Sequence, residues 1–192
     1  MESYKGLPIL YFETQAAWEA WLEEHQADSQ GLWLKISKKD SGFDSVSYSE
    51  ALDLAICYGW IDSQKGTLDD DFWLQRFTPR GSRSKWSQRN RAIADQMIQQ
   101  GRIRSAGLRE VELAKQDGRW EAAYASQSEI KVPDDFQAEL DKNPAAKEFF
   151  ATLNSVNRYA ILYRLQDAKK PQTRLRRMEK FISMLNEHRT IY

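Results

Sequence analysis

The apolar residues of this chain change period at one place. Up to Phe77, segments with two-residue alternation are interleaved with segments of three- and four-residue spacing; from Ser84 onward every apolar stripe is helical. Strands confined to one half and helices filling the other imply an α+β fold, here a small antiparallel sheet with packed helices in the N-terminal half, continued by a C-terminal helical bundle. The expected division is an α+β core over residues 1–130 and a helical extension over 131–192, packed as one unit. A chain of 192 residues buries roughly 70% of its unfolded surface and needs no disulfide or metal to fold.

Local chemistry marks most boundaries. Leu7 to Phe12 reads as a strand, and Thr14 is placed to cap a helix carrying Trp18, Trp21 and Leu22. GLWLKIS alternates as a half-buried strand, and the turn residues KKDSG follow it. Ser47 to Glu50 has the form of a capping box for a helix with Leu52, Ala55 and Ile56 on its buried stripe. Gly59 is a left-handed cap, and WIDSQ and FWLQRF, separated by KGTLDDD, form an antiparallel pair. Helices are then expected with Ile93, Met97 and Ile98; with Leu108, Val111 and Ala114; and from Pro133 and Pro144. The last two place Val156, Tyr159 and Leu162, then Leu175, Met178, Ile182 and Leu185, on their apolar faces.

The stretch RFTPRGSRSKWSQRN holds Arg76, Arg80, Arg83, Lys85 and Arg89 without one acid, in a chain of net charge zero. A loop running into a helix start, whose first amides lack internal partners, is a natural anion site, and Arg80, Arg83, Lys85, Ser84, Ser87 and Asn90 would furnish it. The competing reading makes Ser84 or Ser87 a helix cap and pairs the arginines with the acids of LDDD. In YGWIDS, Trp60 and Asp62 share one strand face. Asp62 is then either a counter-ion, with Arg76 as its expected partner, or a functional acceptor, and Trp60 and Trp86 would wall a planar guest. Lys38 and Lys39 either join the same sheet edge or discourage edge pairing. The basic run of residues 169–180 is either a second patch or the solvated face of an amphipathic helix.

Several chemistries have no support. His25 and His188 form no helical metal pair, and no phosphate loop, dinucleotide fingerprint or nucleophile elbow occurs, so no metal and no cofactor is expected. Cys57, the single cysteine, excludes a disulfide within the chain and suits a reducing compartment. MESYKGLPILYFETQ lacks the apolar core of an export signal, and no run approaches the length of a membrane span, so a cytoplasmic location without membrane insertion is expected.

The strings GLWLKISKKDSGFDSVSYSEALDLAICYGWIDS, RFTPRGSRSKWSQRN and GRIRSAGLREVELAKQDGRW resemble, in order and spacing, the bacterial YdeI/OmpD-associated family, also called bacteriocin-protection proteins. The resemblance runs from about Trp18 to the last helix. It falls on Lys38, Lys39, Tyr48, Trp60, Asp62, Pro79, Arg80, Ser84, Trp86, Ser87, Asn90 and Gly101, while Gly81 stands where a second basic residue is expected. What the family implies is an association with envelope stress and antimicrobial peptides, and no catalytic activity or cofactor. The leading expectation is a stress-associated binding protein with a cationic, Trp-flanked pocket for a small phosphate- or carboxylate-bearing ligand. Other readings are a nucleic-acid binder using the same basic patch, an enzyme with Asp62 as acid or base, and a protein-interaction module.

Overall fold

The computed structural model describes residues 2–192, and among these it has five strands and eight helices. They divide into two compact units, one made of residues up to Trp86 together with Asn90–Glu121, the other of Ser87–Arg89 with Ala122–Tyr192.

The first unit is built on a sheet of order β1-β2-β3-β5-β4, with β1 Ser3–Tyr4, β2 Leu7–Tyr11, β3 Leu32–Ser37, β4 Trp60–Thr67 and β5 Phe72–Pro79. Three pairings are antiparallel as expected, but β2 and β3 run parallel. The reason is local: α1 (Gln15–His25) lies between them in sequence and returns the chain to the same end of the sheet. Thr14 caps α1 by accepting the Ala17 amide at 3.2 Å. Ser47 and Glu50 close the capping box that starts α2 (Tyr48–Cys57).

One face of the sheet carries Leu32, Leu34 and Phe77, buried with Trp18 and Leu22 of α1 and Leu52, Ala55 and Ile56 of α2. Trp18 stacks on Trp21 at 5.5 Å, and Trp60 meets both edge-on. Indole rings therefore fill the space that smaller side chains would leave void. β4 takes one extra residue between Asp62 and Lys65, so the register with β5 shifts there. Helices α3 (Gln88–Gln99) and α4 (Ser105–Gln116) follow.

In the second unit α5 (Asp134–Lys142), α6 (Pro144–Thr152), α7 (Ser155–Gln166) and α8 (Pro171–Asn186) enclose a core of Phe136, Leu140, Phe150, Ile161, Leu165 and Phe181. Two apolar faces differ from expectation. Asn154 caps α7, whose buried stripe is Ala160, Ile161, Leu162 and Leu165, leaving Val156 exposed. On α8 the chain buries Met178, Phe181, Met184 and Leu185, and leaves Leu175 exposed.

Candidate functional site

The strings YGW and TPR meet because they open and close one ladder. Gly59, at φ 77°, turns the chain out of α2 into β4, and Trp60 lies directly opposite Pro79 of β5. The Arg80 amide then donates to the Gly59 carbonyl at 3.0 Å. The start of α4 packs on this corner. Arg104 donates its amide to the Cys57 carbonyl at 3.1 Å, and Gly107 lies so near that a Cβ there would sit 2.3 Å from the same oxygen. Between these elements is a cavity of about 290 Å³, lined by Gln26, Tyr58, Trp60, Arg80, Arg109 and Glu110, with Ser105 at its edge.

The lining includes two arginines, Arg80 and Arg109, and one acid, Glu110. Trp60, 1% exposed, donates its indole N–H to the Gln26 carbonyl at 3.4 Å, so its ring is held by the core and by a hydrogen bond. Burial pushes the Tyr58 phenol up, against the lowering effect of Arg104. Beneath this corner, burial raises the Cys57 thiol to about 11, which leaves it protonated and a poor nucleophile. The lining therefore sets cationic side chains and one carboxylate beside the aromatic residues Tyr58 and Trp60.

The cation cluster does not gather into one hollow. Arg80 is 7% exposed; its guanidinium lies 3.6 Å over the Trp86 ring and donates to the Lys85 carbonyl at 3.3 Å. Trp86 meets Trp120 at 4.9 Å, and Arg91 and Lys115 lie 5.1 Å and 5.5 Å from the Trp120 ring. Arg119, bound to Asp117 at 2.7 Å, donates to the Ser84 carbonyl at 3.0 Å. Cations alternating with indoles form a packed ladder, each stack contributing roughly 0.5 to 2 kcal/mol according to how far it is desolvated. Trp86 is thus a stacking partner beneath Arg80, is itself 1% exposed, and does not line the cavity opposite Trp60.

The other expected site residues are dispersed. Arg76 does not pair with Asp62: Phe77 stands opposite Asp62 in the ladder, so Arg76, opposite Trp33, projects from the other sheet face. Asp62 instead accepts from the Tyr48 hydroxyl at 2.8 Å. Lys38 and Lys39 follow the end of β3, where Phe72 begins β5, whereas Arg80 follows the far end of β5. Lys38 ties that end to the 68–71 turn by donating to the Asp69 carbonyl at 2.7 Å. Ser84 accepts the Gly81 amide within its own turn. Ser87 belongs to the second unit and bridges Tyr124, and the first amide of α3, that of Gln88, donates to the Tyr124 carbonyl at 2.9 Å. One of the donors that an anion at this helix start would use is therefore occupied. Asn90 is buried. Of the C-terminal run, Arg174 forks onto Asp135 at 2.6 and 2.7 Å, and Arg177 donates to the Arg164 carbonyl.

Of the ten expected site residues, then, Trp60 and Arg80 line the cavity. Arg109 and Glu110 were not foreseen, because nothing local in GLREVE marks it for the corner. The only hint was Gly107, a small residue inside a helical stripe. Among the described residues no group of three or more His, Cys, Asp or Glu side chains could hold a metal ion, and no helix is long and apolar enough to cross a membrane.

Comparison with known proteins gives two family matches. A model described as a domain of unknown function (DUF8412) matches residues 10–110, which contain the cavity and the YGWIDS and TPRGSRSKW strings. A model described as "Bacteriocin-protection, YdeI or OmpD-Associated" matches residues 129–188. The YdeI/OmpD-associated resemblance therefore holds over the C-terminal helices, whereas the first two strings that suggested it lie inside the other match and the third, Gly101–Trp120, half inside it. No curated protein and no solved structure matches the chain.

Proposed function

Since the chain belongs to the DUF8412 family through residues 10–110 and carries the YdeI/OmpD-associated match at 129–188, we propose that it is a cytoplasmic, stress-associated binding protein whose corner cavity takes a small phosphate- or carboxylate-bearing ligand. One observation carries the reading: Trp60 and Arg80, from the two most distinctive strings of the sequence, line the same 290 Å³ space, and Arg109 adds a second guanidinium. Guanidiniums favour carboxylate and phosphate through paired, charge-assisted hydrogen bonds. The volume lies at the lower end of the roughly 300 to 1,000 Å³ usual for ligand sites, which suits one small metabolite. The cytoplasmic location is carried over from the sequence expectation, with which the single buried cysteine agrees, and the stress association from the family resemblance; the C-terminal match itself is described by bacteriocin protection and OmpD association.

Calorimetry against inorganic phosphate, sugar phosphates, mononucleotides and small carboxylates tests the proposal. Arg109→Gln removes an exposed cation without disturbing the Arg80 stack, and it should weaken a true ligand about 10- to 100-fold, as loss of a charged hydrogen bond of roughly 1.5 to 3 kcal/mol requires. If no anion binds at millimolar concentration, or if a bound anion ignores both Arg109→Gln and Arg80→Lys, the proposal fails.

A further inference from the structure

The sheet has a second face, opposite α1 and α2, and its composition is one-sided. The register assigns to it Tyr4, Tyr11, Trp33, Lys35, Phe72, Leu74 and Arg76 among others, and no acidic residue of any strand; the one strand acid, Asp62, lies on the helix-covered face with Phe77. Its rings are layered. Trp33 and Phe72 are buried, and upon them Tyr4 and Tyr11 stand edge-on at 4.9 and 5.7 Å, with Phe43 against Phe72 at 5.0 Å. The upper rings are open to solvent: Tyr4 36%, Tyr11 38% and Phe43 52% exposed. Cations accompany them. The Lys5 ammonium lies 5.1 Å from the Tyr4 ring, and that of Lys35 lies 3.9 Å from Phe72 and 5.9 Å from Tyr11.

We propose that this open sheet face binds single-stranded nucleic acid, a surface separate from the corner cavity. Unpaired bases stack on half-exposed aromatic rings whatever their sequence, and the phosphates between them need cations within reach of the same rings. Tyr4, Tyr11 and Phe43 supply the rings, and Lys5, Lys35 and Arg76 the cations. A duplex hides its base faces and would gain only the charge. An anionic bilayer is the rival partner for a basic apolar face, but insertion needs protruding apolar side chains, whereas two of the three open rings are tyrosines on sheet strands, and Tyr11 is tethered through its hydroxyl to the Asp44 carbonyl. Glu13 and Asp44 lie beside Tyr11 and bound the face on that side. The neutral net charge of the chain does not oppose this, because attraction depends on the local distribution.

Fluorescence anisotropy of labelled oligo-dT and oligo-U, each about twelve nucleotides long, tests the proposal with the full chain. Binding should fall about 20-fold between 50 and 200 mM salt if Lys5, Lys35 and Arg76 each meet a phosphate. Tyr4→Ala and Phe43→Ala, both at exposed rings, should each weaken it roughly 5- to 100-fold, with thermal melting confirming the fold. Arg83→Ala, in the basic loop, should leave affinity unchanged. The idea is overturned if neither oligonucleotide binds at 50 mM salt, if the ring variants bind as the parent does, if Arg83→Ala abolishes binding, or if the duplex binds as tightly as the single strand. Retention on phosphatidylserine vesicles without oligonucleotide binding would transfer the face to a membrane and equally end it.

Discussion

Gly107→Ala sets two effects of opposite sign against each other. In an unobstructed helix the change is stabilising by about 1 kcal/mol, because alanine has the higher helix propensity. At this position the added Cβ would stand 2.3 Å from the Cys57 carbonyl oxygen and 2.7 Å from that of Ile56, about 1 Å inside ordinary contact with each. Both oxygens are main-chain atoms in the last turn of α2 and cannot rotate away, so α4 must retreat from α2 as a body. Overpacking of this kind costs about 3 kcal/mol, which leaves a net loss near 2 kcal/mol and, for a chain of this size, a fall in melting temperature of about 4 to 8 °C. The retreat also moves Ser105, Arg109 and Glu110 off the cavity corner, so any anion affinity should fall with it. Thermal and urea denaturation measure the effect, with Leu108→Ala, at an exposed site on the same helix, expected to stay within about 0.5 kcal/mol of the parent. A Gly107→Ala protein as stable as the parent would refute the close α2–α4 approach and the corner built on it.

Two further outcomes concern the second unit. The Arg174 fork holds the Asp135 carboxyl below its usual range. The resulting stability is present above the unfolded carboxyl value near pH 4 and is lost as pH falls through the lower folded value. Arg174→Gln should remove about 1 kcal/mol at pH 7 and shrink the acid limb in a pH series of urea midpoints by that amount; an unchanged limb would contradict the pairing. Asn157, 4% exposed, accepts the amides of Ile191 and Tyr192 at 3.0 and 2.9 Å. Asn157→Ala should cost roughly 1 to 3 kcal/mol and release those two amides to rapid hydrogen exchange, whereas retained protection would show that other contacts hold them.

What could be read from sequence was what is decided locally. The Thr14 cap, the Ser47–Glu50 box and the Gly59 turn each depend on residues within four positions, and each is in place. Strand faces were legible for the same reason, and Trp60 and Asp62 do share one. Partners across strands were not: Arg76 as the counter-ion of Asp62 required the β4–β5 register, and a one-residue difference in pairing sends a side chain to the opposite face. The fate of Arg80 was hidden similarly. Its anchor in the chain is Trp86, but that indole is held by Trp120, thirty-four positions on, and no spacing rule joins them. On α7, the amphipathic stripe was displaced because the 12-residue helix has more than one plausible apolar face, and packing chose Ile161 and Leu165 over Val156.

The supernumerary residue in β4, between Asp62 and Lys65, has a consequence for association. β4 is the outermost strand on its side of the sheet, a position from which a newly arriving extended segment could propagate the ladder. An interrupted repeat offers such a segment no continuous run of matched donors and acceptors. That flank is consequently a poor seed for fibrillar growth, and a single deletion restoring uniform spacing would make it a better one.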